Sequence, residues 1–200
     1  MDVKAIGIIC KEHRLIAAVL HGMRHLIREI RVNGAKPNFE LFGAMIYYID
    51  AFPERYHHPK EDEYLFRALR TRHPDAYSLL DRLEGEHQEG AGKIRLLEQA
   101  LARYQQGGTK EFPAFAAAVE DYSDFHWSHM RTEEMEVLPL ARKYLTPEDW
   151  EAIEKAFLGH SDPLLGVDVG VEFETLFTRI CNLAPPPIGV GPVPGGSTGF

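Results

Sequence analysis

The sequence predicts an all-α protein, an up-down-up-down antiparallel four-helix bundle with a short C-terminal helical extension and a Pro/Gly-rich tail. Three observations lead to this prediction. Apolar residues recur at helical spacing in four long segments, glycine and proline separate those segments, and no segment carries a strong strand pattern. We expect the bundle to occupy residues 1–145, the extension to occupy residues 146–183 and pack on the bundle, and the tail to occupy residues 184–200.

The first predicted helix runs from Val3 to about Val32 and carries His13 on its apolar stripe. It ends at Asn33-Gly34, where a left-handed residue stops a helix at little cost. The second predicted helix covers Phe39 to Ala51. It should bend at Phe52-Pro53, because proline lacks a backbone donor and clashes with the preceding turn.

Beyond that bend, a helix should restart near Pro59 and carry Glu61 inward. The third predicted helix covers Ala76 to about Gln106 and ends at a pair of glycines. The fourth covers Phe112 to Tyr144, with a kink expected at Pro139 near its end.

The extension begins with Thr146, an N-cap residue followed by proline, and its first helix should reach about Leu158. A second short amphipathic helix is predicted over Val171 to Leu183. The remaining residues are too rich in proline and glycine to build a core, so we expect an extended or mobile tail.

Composition narrows the class of protein. The chain has 200 residues, 44% of them hydrophobic, and a formal net charge of −8 without a basic stripe, which argues against nucleic-acid binding. Its apolar runs are too short for a signal sequence or a membrane span. Two distant cysteines, Cys10 and Cys181, predict no disulfide framework, so we expect a cytoplasmic protein. The sequence does not indicate an oligomeric state.

A repeated spacing supplies the candidate site. Glu61 follows His57 by four residues, which places both on one face of a helix, and Glu133 follows His129 in the same way. Each pair has a Glu-His dipeptide upstream, with His13 before the first pair and His87 before the second. The chain therefore carries the same ligand set twice.

Spacing alone is weak evidence, because His25 and Glu29 share it. Together with His21, they form a polar run on a different face of the first helix from His13, and we interpret that run as a solvated or loosely packed surface. The two repeated pairs differ because they lie on apolar stripes, where histidine and carboxylate are costly unless paired or ligated.

The residue types favour a metal site over the alternative, a hydrogen-bonded polar network in the core. Imidazole with carboxylate and no thiolate suits iron or manganese and tolerates zinc. Six ligands are too many for one structural zinc ion, which takes about four. Two ions bridged by Glu61 and Glu133 fit better, with the four histidines as terminal ligands.

The ordered combination of motifs resembles the hemerythrin-like, or HHE cation-binding, domain family. It consists of Glu12-His13, the HHPKED box at residues 57–62, Glu86-His87 and the HMRTEE box at residues 129–134. The resemblance covers about residues 3–145. It implies a four-helix bundle that holds two non-heme iron ions with a bridging oxo or hydroxo group, Zn or Mn being possible substitutes. The implied metal ligands are His13, His57, Glu61, His87, His129 and Glu133.

The chain departs from the oxygen-carrying hemerythrins in one respect. Those proteins place two histidines one turn apart on the third helix, whereas here the positions a turn from His87 are Leu83 and Ala91. His58 is either a replacement ligand or a residue that orients a neighbouring ligand. Glu134 is the alternate to Glu133, because oxygen carriers use the carboxylate five residues beyond the last histidine.

Neighbouring residues receive simpler interpretations. We expect His126 to pack beside Trp127 rather than to line the site entrance. The tyrosines at positions 47, 48 and 64 could donate hydrogen bonds near the site, although core filling is favoured for most of them. Cys10 is interpreted as a small buried residue, with a redox neighbour of the metal as the alternative.

The sequence favours a metal-binding protein that takes up O2, NO or a related small ligand, as a sensor, scavenger or carrier. Alternatives are iron handling or iron-sulfur cluster repair, and a di-iron enzyme that consumes peroxide or NO. A bundle that acts as an interaction domain without a functional metal is a further alternative. A binding protein is favoured over a dedicated enzyme.

Overall fold

The computed structural model describes residues 4–159 and 169–191, and every element within these ranges is helical. The first helix, Lys4–Asn33, ends at Gly34, whose φ of 66° is the left-handed conformation expected of a helix stop. The other elements are Phe39–Ile49, Asp50–His57, His58–Lys60, Glu61–Phe66, Arg67–Arg72, Pro74–Ala76, Tyr77–Gly107, Gly108–Glu111, Phe112–Thr132, Glu133–Val137, Leu138–Tyr144, Pro147–Leu158 and Val169–Leu183.

The expectation that the second helix breaks and restarts near Pro59 is wrong. The backbone stays helical from residue 39 to residue 72, because two π-helical segments, Asp50–His57 and Glu61–Phe66, lie within it. A proline ring clashes with the carbonyl four residues before it, and for Pro59 that carbonyl belongs to Arg55, inside the first π segment. Wider π turns therefore let the chain pass the proline, and such turns are frequent at functional sites.

The fourth long helix repeats this arrangement. Its α-helical part, Phe112–Thr132, gives way to the π segment Glu133–Val137 and then to Leu138–Tyr144, so the expected distortion lies just before Pro139. In both helices, a π segment begins at the glutamate predicted to bridge the metals, Glu61 or Glu133. The sequence repeat is thus also a repeat of local structure.

Two apolar clusters stabilise the long helices. Along each of these helices, residues of the candidate site lie between the part that joins one cluster and the part that joins the other. The first helix contributes Ile9 to one cluster and Ile16 to the other, with His13 between. On the third helix, His87 lies between Leu83 and Ile94 in the same way. The second and fourth helices pass through the clusters in the opposite order. The long helices contact one another in the sequence first–second, second–third, third–fourth and fourth–first.

The helix Pro147–Leu158 contacts the first long helix. Thr146 caps Pro147–Leu158 through a reciprocal capping box with Asp149, as its position in the sequence predicts. Ile153 and Phe157 are buried in the apolar cluster that contains Ile9. The helix Val169–Leu183 contacts the second long helix.

The prediction of an extended or mobile tail is wrong for residues 184–191. This segment turns back on the last helix, where the backbone N–H of Val190 donates to the carbonyl of Cys181 at 2.9 Å. Ala184 is buried, and Ile188 packs against the apolar cluster of Ile16. The rest of the predicted tail, residues 192–200, lies outside the described residues.

Among the residues that the structure describes, none of the helices is both long enough and apolar enough to cross a membrane.

Candidate metal centre

The structure brings the six predicted ligands together in a buried layer, with exposures between 0 and 6%. Glu61 Oε1 lies 3.6 Å from His13 Nε2 and 3.3 Å from His57 Nε2, and its Oε2 lies 3.8 Å from His87 Nε2. Glu133 spans the layer in the same way. Its Oε2 lies 3.4 Å from His13 Nε2 and its Oε1 lies 3.3 Å from His129 Nε2. Each carboxylate therefore offers one oxygen to each half of the site.

An outer carboxylate holds each of the four histidines. His57 Nδ1 lies 2.7 Å from Glu12 Oε2, and His129 Nδ1 lies 2.9 Å from Glu86 Oε2. Each of these glutamates precedes the histidine of another helix, so each Glu-His dipeptide links two helices within one half of the site. The remaining pairs, at 2.8 and 3.0 Å, are His87 Nδ1 with Asp62 Oδ1 and His13 Nδ1 with Glu134 Oε1.

These contacts fix the tautomers of the rings. An ionised carboxylate only accepts hydrogen bonds, so each histidine donates its Nδ1–H outward and directs Nε2 inward. Ligating histidines in metal sites are held in this way by carboxylates. The inner oxygens of Glu61 and Glu133, together with Nε2 of His13 and His57, have no hydrogen-bond partner. Buried polar atoms without partners are costly, and a cation between them would satisfy them.

The pKa shifts in the buried layer also indicate that the layer suits a cation. Burial alone would lower the pKa of His13, but contacts with Glu134 and Glu61 outweigh it and raise this pKa to about 10. The same balance raises the pKa of His87 to about 10 and that of His129 to about 9. Burial would raise the pKa of Glu133, but His129 holds it well below its ordinary value. Without a cation, the layer therefore retains protons.

The closest approach within the layer is between two ring nitrogens. His87 Nε2 lies 2.9 Å from His129 Nε2, and both rings already donate from Nδ1. Two lone pairs at this distance repel each other unless a proton or another cation lies between them. The position is one where a metal ion would replace a shared proton.

The side chains form two groups that could each hold a metal ion. One contains His13, His57 and Glu61, and the other contains Glu61, His87, His129 and Glu133. Because Glu61 belongs to both groups, the two positions are adjacent. Glu134 lies outside them as the hydrogen-bond acceptor for His13, and 42% of its side chain is exposed.

His58 belongs to a third group, with His87 and His129. Its ring stacks on the His87 ring with centroids 4.2 Å apart and an interplanar angle of 9°. Burial lowers the pKa of His58 well below its ordinary value, so the ring is neutral at pH 7. His58 is 4% exposed, so it is not a solvated histidine beside Pro59.

The interpretation of His126 as a packing partner of Trp127 is wrong. His126 packs its ring on Tyr122 at 4.5 Å, and its Nε2 lies 3.3 Å from Glu54 Oε1. The partners of Trp127 are instead His21, whose ring centroid is 4.5 Å away, and Arg24. His126 thus belongs to a buried polar cluster around Glu54.

Glu54 is the residue of this region that sequence reasoning missed. Its side chain is 5% exposed, and Tyr122 donates a hydrogen bond to its Oε1 at 3.0 Å. The available signal was the i, i+4 spacing of Glu54 and His58. The tyrosine donor near the site is therefore Tyr122.

Of the three tyrosines considered, Tyr47 and Tyr64 are exposed, and Tyr48 is buried among aromatic rings as core filling predicts. Cys10 is half-buried and unpaired. The run of His21, His25 and Glu29 is exposed or half-buried, in agreement with a polar surface.

The helical fold and the buried histidine and glutamate groups define a protein able to hold a metal in its core. A family model, the hemerythrin HHE cation binding domain, matches residues 4–141, and the chain belongs to this family. No match was found among curated proteins or among solved structures.

Proposed function

We propose that this protein holds two iron ions in the buried layer and binds O2, NO or a related small ligand there, for sensing, scavenging or carriage. The observation that carries the proposal is the pair of spanning carboxylates, Glu61 and Glu133, each with one oxygen toward each half of the site. Iron suits this set because it binds imidazole and carboxylate together, and Zn or Mn could substitute.

Each side chain has a definite role in this proposal. His13 and His57 are terminal ligands of one ion, and His87 and His129 are terminal ligands of the other. Glu61 and Glu133 bridge the two, and the outer carboxylates fix the orientation and basicity of the imidazoles. The iron pair would supply the electrons and open coordination positions for the small ligand, with an oxo or hydroxo bridge as in the family.

We also propose the antiparallel, up-down-up-down arrangement of the four long helices, with the bundle in residues 1–145, the extension in 146–183 and the tail beyond. The support is that successive long helices pass through the two apolar clusters in alternating order. Such alternation requires successive helices to run in opposite directions. The two unpaired cysteines favour a cytoplasmic location.

A cavity near the site is lined mostly by apolar side chains, together with the charged residues Lys11, Glu12 and Glu174. This cavity of about 450 Å³ is lined by Glu12 and Phe52, both of which contact His57, and by Phe173 and Phe177 from the last helix. Diatomic molecules partition into apolar space, whereas charged solutes do not. Access from this side would favour O2 and NO over ionic ligands.

The test is metal loading under anaerobic conditions followed by removal of loosely bound metal. We expect about two irons per chain and, after oxidation, near-ultraviolet charge-transfer bands. His129→Ala should sharply reduce the iron content, because it removes a ligand. His21→Ala is the matched control, since it removes an exposed histidine of the first helix.

Stopped-flow mixing of the reduced, iron-loaded protein with O2, NO and peroxide would then distinguish binding from consumption. Stable spectra with O2 or NO support the binding role, and turnover of peroxide or NO supports the enzymatic alternative. A colourless preparation without iron after loading would contradict the proposal.

A further inference from the structure

We propose that His58 is a further ligand of the ion held by His87 and His129, and that Glu54 is the residue that positions it. The inference rests on the proposed function and adds a ligand and a positioning residue to the six side chains assigned there. It would explain how the site tolerates the loss of the second histidine on the third helix.

The geometry of His58 suits a ligand. One of its ring nitrogens belongs to a group with His87 and His129 whose candidate ligand atoms all lie within 4.8 Å of one another. Its Nδ1 lies 3.5 Å from Glu54 Oε2 and has no hydrogen-bond partner among the described residues. With Nδ1–H toward the carboxylate, the lone pair of Nε2 is left for a cation. The other four histidines also face a carboxylate with Nδ1, and there the two atoms are hydrogen-bonded at 2.7 to 3.0 Å.

Glu54 is itself held in place from the fourth helix. Tyr122 donates to its Oε1 at 3.0 Å, and His126 Nε2 lies 3.3 Å from the same oxygen. Burial would raise the pKa of Glu54, but its contacts with His126 and His58 outweigh burial and hold this pKa below its ordinary value. The side chain is therefore an ionised acceptor that is fixed by two partners other than His58.

The third helix provides the space for this carboxylate. A Cβ atom at Gly90 would lie 2.9 Å from Glu54 Oε1, closer than real Cβ atoms come, and 3.1 Å from Oε2, so the carboxylate would have to shift. Gly90 is one turn beyond His87, on the helix that lacks a second histidine. The third helix, which lacks a second histidine, thus has at Gly90 a glycine that admits Glu54, and Glu54 faces His58 of the second helix.

The experiment is a titration of the metal-free full chain with Co²⁺, whose visible absorption reports the number and type of its ligands. Wild-type protein should bind about two Co²⁺ ions in two resolvable steps. Glu54→Gln should weaken one step by about 10- to 100-fold and leave the other unchanged, because carboxylates that orient ligands have effects of this size. His58→Ala should weaken the same step and change its absorption.

Two glycine variants separate positioning from general stability. Gly90→Ala should reproduce the loss seen with Glu54→Gln, because the new methyl group displaces the carboxylate. Gly92→Ala is the matched control on the same helix, since a Cβ there meets nothing within 4 Å. Glu12→Gln should weaken the opposite step, because Glu12 holds His57.

The outcomes distinguish the inference from the function on which it rests. If wild-type protein binds the Co²⁺ pair and both steps are unchanged in Glu54→Gln and Gly90→Ala, the inference is overturned and the proposed function stands. If wild-type protein binds no Co²⁺ in its core, both are overturned. Selective loss of one step in both variants, with Gly92→Ala unchanged, supports the inference.

Discussion

Binding of the metal pair should release protons, and the structure sets the number. In the metal-free protein at pH 7.5, the raised pKa of His13 keeps this ring protonated at Nε2 as well as Nδ1. His87 and His129 also have raised pKa values, but their Nε2 atoms lie 2.9 Å apart, which leaves room for one proton between them. Loading both positions should therefore release about two protons per chain.

The number of protons released determines how steeply the metal affinity depends on pH. Each proton displaced makes the apparent affinity rise by about tenfold for each pH unit, as long as the pH stays below the pKa of the ring. Between pH 6.5 and pH 8.5, the product of the two metal-binding constants should thus rise by about 10⁴. Above about pH 10 the dependence should disappear, because the rings of His13, His87 and His129 are then already neutral.

The assay is isothermal titration calorimetry in buffers that differ in ionisation enthalpy, with Zn²⁺ as a probe that has no redox chemistry. The slope of the observed heat against buffer enthalpy gives the proton count directly. His21→Ala should leave this count unchanged, whereas His13→Gln should lower it by about one. Release of no protons at pH 7.5 would refute the reasoning, because the buried rings would then be neutral despite their carboxylate partners.

Two further predictions concern stability. The metal-free protein should be most stable below about pH 6.5 and lose stability as the pH rises toward 9 to 10. The reason is that the pKa values of His13, His87 and His129 are higher in the folded chain than in the unfolded one. Thermal unfolding from pH 6 to pH 10 measures this dependence, and a melting temperature that does not change with pH would contradict it. Thr146→Ala should reduce the free energy of unfolding by about 1 kcal/mol, because it removes the capping box. Urea unfolding measures this change, and an unchanged midpoint urea concentration would mean that the extension unfolds independently.

Much of the helical fold follows from periodicity and from helix stop signals. The bounds of the first, third and fourth long helices agree with the sequence to within a few residues, because Gly34 and Gly108 adopt the positive φ that their positions require. The second helix was harder to predict. Proline ordinarily ends a helix, and local sequence does not indicate that π turns will keep residues 39–72 helical past Pro53 and Pro59.

The candidate site shows the same division between local and long-range information. The spacing of His57 with Glu61, and of His129 with Glu133, is local, so the sequence placed these residues on inward faces. The outer carboxylates were not predicted, because the partner of His57 is Glu12, 45 residues away, and that of His13 is Glu134, 121 residues away. Contacts of this kind depend on how helices pack, which a single sequence does not specify.

The cluster around Glu54 illustrates a further reason for missed residues. Glu54 was passed over because it does not belong to the repeated motif, and an isolated carboxylate usually lies on the surface. Its burial depends on the absence of a side chain at Gly90 and on a donor from Tyr122. Only the packed structure brings these three residues together.

The central claim is that two metal ions occupy the buried layer between the spanning carboxylates. The most direct measurement is anomalous X-ray diffraction from crystals of the iron-loaded protein at the iron absorption edge. We predict two adjacent anomalous peaks, one beside His13 and His57 and the other beside His87 and His129, with Glu61 and Glu133 contacting both. A single peak, or peaks at surface histidines such as His21 with none in the core, would contradict the account.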